Sequence, residues 1–206
     1  MALLQKEITP YKTIVKDQDG NEKEVLVDRD DGVRAETTLE GLGKLKPAFK
    51  KDGTTTAGNS SQVTDGAGAV LLARRDVAKK LGLKIYGRIV SFAVVGVPPE
   101  IMGVGPAVAI PAALKKAGLT VKDIDVFEVN EAFASQATYS VNHLGIPKEK
   151  LNPRGGAIAL GHPLGCTGAR MVTTLFHELE RTAKRYGVIS MCIGTGMGAA
   201  GVFERE

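Results

Sequence analysis

Three polar residues have types and surroundings suited to chemistry: Asn130, His162 and Cys192. His162 lies in Gly155–Gly168, G-G-A-I-A-L-G-H-P-L-G-C-T-G, a run too rich in glycine for ordinary helix or strand. Glycines open backbone conformations closed to other residues and let a ligand approach the chain closely. Pro163 biases His162 toward an extended conformation, which aims the imidazole. An aimed imidazole at the start of a helix is a candidate for proton transfer; the competing reading is a tight turn with an incidental histidine. Asn130 follows an apolar run and is a fixed donor and acceptor for a water or an oxyanion, or else only a helix N-cap. Cys192 precedes Gly194, Gly196 and Gly198, whose N–H groups would line a small anion-binding nest. It also fits the role of a buried small hydrophobe.

These residues need a scaffold, and the pattern predicts alternating strands and helices. Strands are expected over Lys84–Val95, Ile124–Val129, Gly187–Met191 and Ala199–Phe203, with a short one at Ala69–Ala73. Helices are expected at Thr37–Phe49, Asp76–Leu81, Gly105–Gly118 with its regular part starting at Pro111, and after N-E-A-F. Phe133, Ala137, Val141 and Leu144 mark one face of that last helix, which Gly145 ends. Val172, Leu175, Phe176 and Leu179 mark the helix after the His162 loop. Lys12–Arg34 reads as a surface excursion with a hairpin turn at D-Q-D-G-N. The whole is an α/β layered fold whose sheet is made mixed by the final hairpin. Loops at strand ends of such sheets carry ligand sites, so Asn130, His162 and Cys192 are expected to converge.

Composition narrows the function. The chain has 206 residues, 43% hydrophobic and 24% charged, ordinary for a globular protein, and 25 glycines without a repeat period. A net charge of +4 suits an anionic small molecule, but the dense basic patch of a nucleic-acid binder is lacking. No apolar run is long enough to span a membrane. Two cysteines, Cys166 and Cys192, make a disulfide framework unexpected and a reducing compartment the natural setting. The first residues lack a secretory signal core, and V-F-E-R-E at the end is not an S-K-L type address.

N-E-A-F-A at Asn130–Ala134, G-H-P-L-G-C-T-G-A-R at Gly161–Arg170 and C-I-G-T-G-M-G-A at Cys192–Ala199 resemble the three C-terminal signatures of the thiolases. T-A-G-N-S-S at Thr56–Ser61, I-M-G-V-G-P at Ile101–Pro106 and K-P-A-F at Lys46–Phe49 match the same family, with the resemblance running from about Arg34 to the end. Within it the chain looks most like the peroxisomal 3-ketoacyl-CoA thiolases. The resemblance implies a layered α-β-α-β-α fold, with residues 1–55 a remnant of the lid region and 56–206 the C-terminal domain. It implies cleavage of a 3-ketoacyl-CoA by coenzyme A, a co-substrate and not a bound cofactor, with no metal. His162 would activate a nucleophilic cysteine, Asn130 would position a water, Cys192 would move protons and the Gly194 N–H would serve a second oxyanion hole.

The resemblance also points to Arg34 at the adenine end of CoA, Ala57 and Ser61 along the pantetheine, and Met102, Ala132 and Phe133 as walls of the acyl channel. Cys166, despite its place at a helix start, is expected to pack, and His143 and His177 are read as ordinary helix residues. The family carries its nucleophilic cysteine in an N-terminal half, and neither Cys166 nor Cys192 occupies that motif. The chain alone is therefore expected to hold only the acid–base half of the site and to expose an apolar face. A homodimer or an N-terminal thiolase half is the implied partner, and the peroxisome the implied compartment, with mitochondrion or cytoplasm as alternatives. Two other functions remain open: a biosynthetic acetoacetyl-CoA thiolase, and a non-catalytic CoA- or lipid-binding module or split-enzyme partner.

Overall fold

The computed structural model describes residues 3–206. An exposed hairpin comes first, β1 (Tyr11–Lys16) paired antiparallel with β2 (Glu22–Val27). Its turn is held by Asp17, whose Oδ1 accepts from the N–H groups of Asp19 and Asn21. The helix expected over Thr37–Phe49 shrinks to α1 (Leu39–Gly43), capped by the Thr38 hydroxyl. Pro47 ends any continuation, and Leu39 is left exposed, so only one turn has a surface to rest on.

After α2 (Arg75–Lys80), ended by Gly82 at φ 64°, come β3 (Gly87–Gly96) and α3 (Gly105–Ala117). Pro111 lies inside α3 instead of starting it, which corrects the sequence reading. The helix instead opens with Pro106 in its first turn, where a missing N–H costs nothing. Then follow β4 (Val126–Val129), α4 (Ala134–Leu144), the single turn α5 (Ala157–Leu160), α6 (Thr167–Thr182), β5 (Tyr186–Ile193) and β6 (Met197–Arg205). Gly118 and Gly145 take the left-handed conformation that closes α3 and α4.

The four long strands form one mixed sheet in the order β3-β6-β5-β4, with β4 parallel to β5 and β6 antiparallel to both its neighbours. All four residues of β4 are buried, as befits a strand covered on both faces. Phe127 and Val129 point toward α3 and α4, where they meet Ile110, Leu114 and Val141. Val126 points the other way, toward Leu175 and Leu179 of α6.

Ala69–Ala73 is not a strand. It makes no ladder with any described strand, and Val70, Leu71 and Leu72 are exposed. A strand exists only through its partner. Ile89, Phe92 and Val94 of β3 are likewise exposed. No helix is long and apolar enough to cross a membrane among the described residues.

Candidate active site

His162 is reached through α5, whose C-terminal Gly161 sits at φ 97° with the Thr64 methyl where a Cβ would stand. The His162 N–H donates to the Gln62 carbonyl at 3.0 Å, joining this loop to the segment after T-A-G-N-S-S. Gln62 Nε2 in turn donates to the Gly32 carbonyl, which brings the Asp31–Arg34 stretch alongside.

The imidazole is held from both sides. Thr167, fully buried in the first turn of α6, has its hydroxyl 2.7 Å from Nδ1, and that hydroxyl donates to the Pro163 carbonyl. With its own proton committed, the hydroxyl accepts from Nδ1–H. Nε2 then carries the ring's lone pair, and Asn130 Nδ2 donates to it at 3.2 Å. Burial first, and the Arg170 guanidinium second, hold the His162 pKa below the ordinary imidazole value, so the ring is a neutral base at pH 7.

Asn130 is not a helix cap: Phe133 occupies the N-cap of α4. Its backbone N–H continues the sheet to the Ser190 carbonyl, and its carbonyl accepts from Gln136 Nε2. Its Oδ1 is buried without a partner, an acceptor left for a water or a substrate group. Cys192 lies within β5, not after it as the sequence suggested, and pairs with Gly198 of β6. It comes to the same end of the sheet as Asn130, but no hydrogen bond joins it to Asn130 or His162. Burial pushes its thiol up, so it is protonated at neutral pH.

The glycine nest is smaller than expected. Gly198 is a ladder residue of β6, and a Cβ there would stand 2.1 Å from the Gly105 carbonyl oxygen. A Cβ on Gly196, which has φ 104°, would stand 2.6 Å from the Val97 carbonyl oxygen. Close packing against the start of α3 accounts for Gly198 and packing against Val97 and Pro99 for Gly196, whereas a Cβ on Gly194 would meet nothing. The same packing sets the turn Pro99–Val104, which carries Met102, against the end of β5 and β6.

Ser60 bridges to Phe133, and the Ser61 N–H donates to the Ala132 carbonyl at 2.9 Å, so Ser61, Ala132 and Phe133 form one wall. Phe49 stands edge-on to Phe133 with ring centroids 6.2 Å apart. Ala57 and Arg34 are exposed at the near ends of the segments that meet at Gln62. A groove of ≈ 370 Å³ opens beside the His162 loop, between Thr64–Gly68 and Pro163–Cys166.

Sequence reasoning missed four supports. Thr167 is visible only in hindsight, as a hydroxyl at a helix start five residues after the histidine. Glu131 accepts from Asn152 Nδ2 at 2.7 Å and from the Ile158 N–H at the start of α5. Asn152 itself bonds both the N–H and the carbonyl of Val129, standing in for a neighbouring strand. Gln136 had no signal beyond its place one turn into α4. Among the described residues no cluster of His, Cys, Asp and Glu could hold a metal ion.

Residues 83–205 match the thiolase C-terminal domain family and residues 2–76 the thiolase N-terminal domain family. The chain is 70% identical over 199 residues to rat (Rattus norvegicus) peroxisomal 3-ketoacyl-CoA thiolase B, covering 96% of this chain and 47% of that protein. It superposes on the dimeric peroxisomal thiolase of Saccharomyces cerevisiae with TM-score 0.88 and 57% identity, covering 100% of this chain and 50% of the other. Against human mitochondrial 3-ketoacyl-CoA thiolase in complex with CoA the TM-score is 0.86 at 51% identity, covering 88% and 46%. The chain thus spans about half the length of the relatives it matches. With a family match over more than half its residues, this chain belongs to the thiolases.

Proposed function

We propose that this chain supplies the His/Asn/Cys part of a degradative thiolase site, which splits a 3-ketoacyl-CoA with CoA into acetyl-CoA and a shortened acyl-CoA. The observation that carries it is the Asn130–His162–Thr167 chain, which presents a neutral imidazole lone pair at the end of the sheet where Cys192 also arrives. His162 Nε2 takes the proton of a nucleophilic thiol, and the resulting thiolate attacks the 3-keto carbon. The C2–C3 bond breaks, the acyl group stays on the thiol, and the departing enolate takes the proton of Cys192. The Cys192 thiolate then takes the proton of CoA, whose sulfur attacks the acyl thioester and releases acyl-CoA. A thiol held protonated by burial is loaded for the first of its two steps. Asn130 Oδ1 holds the water of the first oxyanion hole, and the Gly194 N–H serves the second.

Arg34 lies toward the CoA adenine, Ala57 and Ser61 along the pantetheine, and Met102, Ala132 and Phe133 along the acyl chain. The wall formed by Ser61, Ala132 and Phe133 supports this. The attacking thiol is neither of the two cysteines here: Cys166 is buried and its thiol pushed up by that burial, and Cys192 is needed for protons. The open faces of Val70–Leu72 and β3 suit an N-terminal thiolase half, and residues 1–55 act as lid. The names of the relatives favour a peroxisomal place in fatty-acid β-oxidation, and the dimeric yeast structure favours a homodimer. The CoA-bound human structure supports CoA as co-substrate.

The test is thiolysis of acetoacetyl-CoA and a longer 3-ketoacyl-CoA by the chain alone and with an N-terminal thiolase half added. Turnover only in the mixture, lost in His162→Ala, supports the reading; turnover by the lone chain overturns the half-site assignment.

A further inference from the structure

α6 turns a polar stripe toward β4. Thr167, Arg170 and Thr174 recur at helical spacing, so they share a face. Across from them, β4 and its continuation carry Glu128 and Asn130, two residues apart and therefore on one face. Two links cross between these elements. Asn130 meets His162, which Thr167 holds; one turn further along α6, Arg170 Nη1 meets Glu128 Oε2 at 3.4 Å. Glu128 is 1% exposed and its Oε1 has no partner, while the Arg170 side chain is only 22% exposed. An ionisable residue this deep in a strand is costly unless it has a task.

We propose that Arg170 and Glu128 are positioning residues for His162: by joining the first turns of α6 to the face of β4, they hold Thr167, and with it the imidazole, opposite Asn130. The inference rests on the thiolase reading for its catalytic consequence, but not for its geometry. An apolar pair at these positions would pack the helix without fixing its height along the strand. A directed contact one turn from Thr167 fixes it, and a displacement near 1 Å at a reacting group costs on the order of 10²-fold in rate.

Charge adds a second effect. Arg170 faces Glu128 from β4, Glu7 and Asp30 from the N-terminal segments, and His162 and Cys166 from its own loop. Glu131 also faces Glu128, and Arg154 faces Glu7. Beyond burial, Arg170 is the one charge that pulls the His162 pKa down. Removing it raises the pH at which the imidazole titrates.

The titration of His162 is followed by NMR in this chain, where only three histidines need assignment. The variants are Arg170→Met, Arg170→Lys, Glu128→Leu, Glu128→Gln and, as a control at the far end of α6 from His162, Arg181→Gln. Arg170→Met is expected to move the His162 midpoint upward, with the control unmoved. Arg170→Lys keeps a charge but loses the planar fork, so the midpoint stays low while the His162 signals shift. With an N-terminal thiolase half supplied, Arg170→Met and Glu128→Leu are expected to lower kcat by about tenfold or more with KM nearly unchanged. Glu128→Gln, which keeps an acceptor for Arg170, retains more activity than Glu128→Leu. An unmoved His162 titration in folded Arg170→Met, or equal loss in Glu128→Gln and Glu128→Leu, overturns the proposal. A shifted titration without any thiolysis overturns the functional reading and leaves the positioning intact.

Discussion

Glu128→Gln should make the protein more stable, and increasingly so as pH rises. The Glu128 carboxyl is buried in β4, and that burial pushes its pKa from 4.5 up to about 8; the nearby carboxylates of Glu7 and Glu131 push the same way. Arg170 opposes them without prevailing, because one partly exposed guanidinium serves Glu128, Glu7 and Asp30 together. Between pH 4.5 and 8 the unfolded chain has lost this proton and the folded chain keeps it. The folded state binds more protons, so stability falls as pH rises through that window. At about 1.4 kcal/mol per pH unit, the loss between pH 5 and 8 is about 3 kcal/mol. An amide does not titrate and resembles the protonated acid in shape. The stability difference between Glu128→Gln and the native sequence should therefore grow by about 3 kcal/mol in favour of the variant from pH 5 to 8. Urea unfolding followed by circular dichroism at several pH values measures it, and other titrating groups cancel in the difference. Glu7 is coupled to Glu128, so the same pair compared in a Glu7→Gln background isolates the contribution of Glu128. A difference that stays flat from pH 5 to 8 would refute the reasoning: Glu128 would then be ionised in the fold, and its pairing with Arg170 would outweigh burial.

Thr167→Val removes the acceptor of Nδ1–H and lets the imidazole turn; kcat in the assembled enzyme should fall by roughly tenfold, as expected for about 1–3 kcal/mol. The acid limb of kcat/KM should lie below pH 6.5, because the neutral form of His162 persists to lower pH; a limb above 6.5 contradicts the burial argument. Cys192→Ser should lose on the order of 10²-fold or more in thiolysis while binding substrate with little change, measured as a KM against kcat split. Gly198→Ala places a Cβ where the Gly105 backbone stands and should lower Tm markedly, whereas Gly194→Ala, with open space, should leave Tm near its native value and affect only kcat.

The residues proposed to touch the chemistry stood out because each sits in a segment whose backbone is unusual. His162 lies between Gly161 and Pro163, and Asn130 follows a strand that is buried on both faces. The helix periodicities were equally clear: Leu175 and Leu179 of α6 and Val141 of α4 are buried where the pattern put them. What failed depended on partners distant in sequence. Ala69–Ala73 has a strand's composition, yet composition does not supply a neighbour to bond with. The glycines after Cys192 read as an anion nest, but Gly198 lets the start of α3 approach the sheet and Gly196 lets Val97 and Pro99 approach the turn. Thr167, Glu131 and Asn152 act only through contacts made across elements, and such contacts leave no local periodicity.

The two cysteines show how placement separates chemistry from packing. Cys166 stands at the N-cap position of α6, where the helix dipole would lower a thiol pKa. Burial outweighs that effect and leaves the thiol raised, even with Arg170 nearby. Its sulfur would lie 3.7 Å from a Cβ on Gly66 and 3.3 Å from one on Gly68, so it fills the space under the irregular segment that passes over the start of α6. Cys192 is raised by burial too, but it lies near the end of β5, two residues before Gly194, where nothing crowds the backbone. A protonated thiol sealed under a crossing segment has no proton to exchange with a ligand. The same thiol at an open sheet end is placed to serve, as proposed above, as an acid for a departing enolate and, once ionised, as a base for an incoming thiol. The His162 lone pair faces that same end, so the sheet's geometry, more than any difference in pKa between the two cysteines, supports the proposal that Cys192 transfers protons.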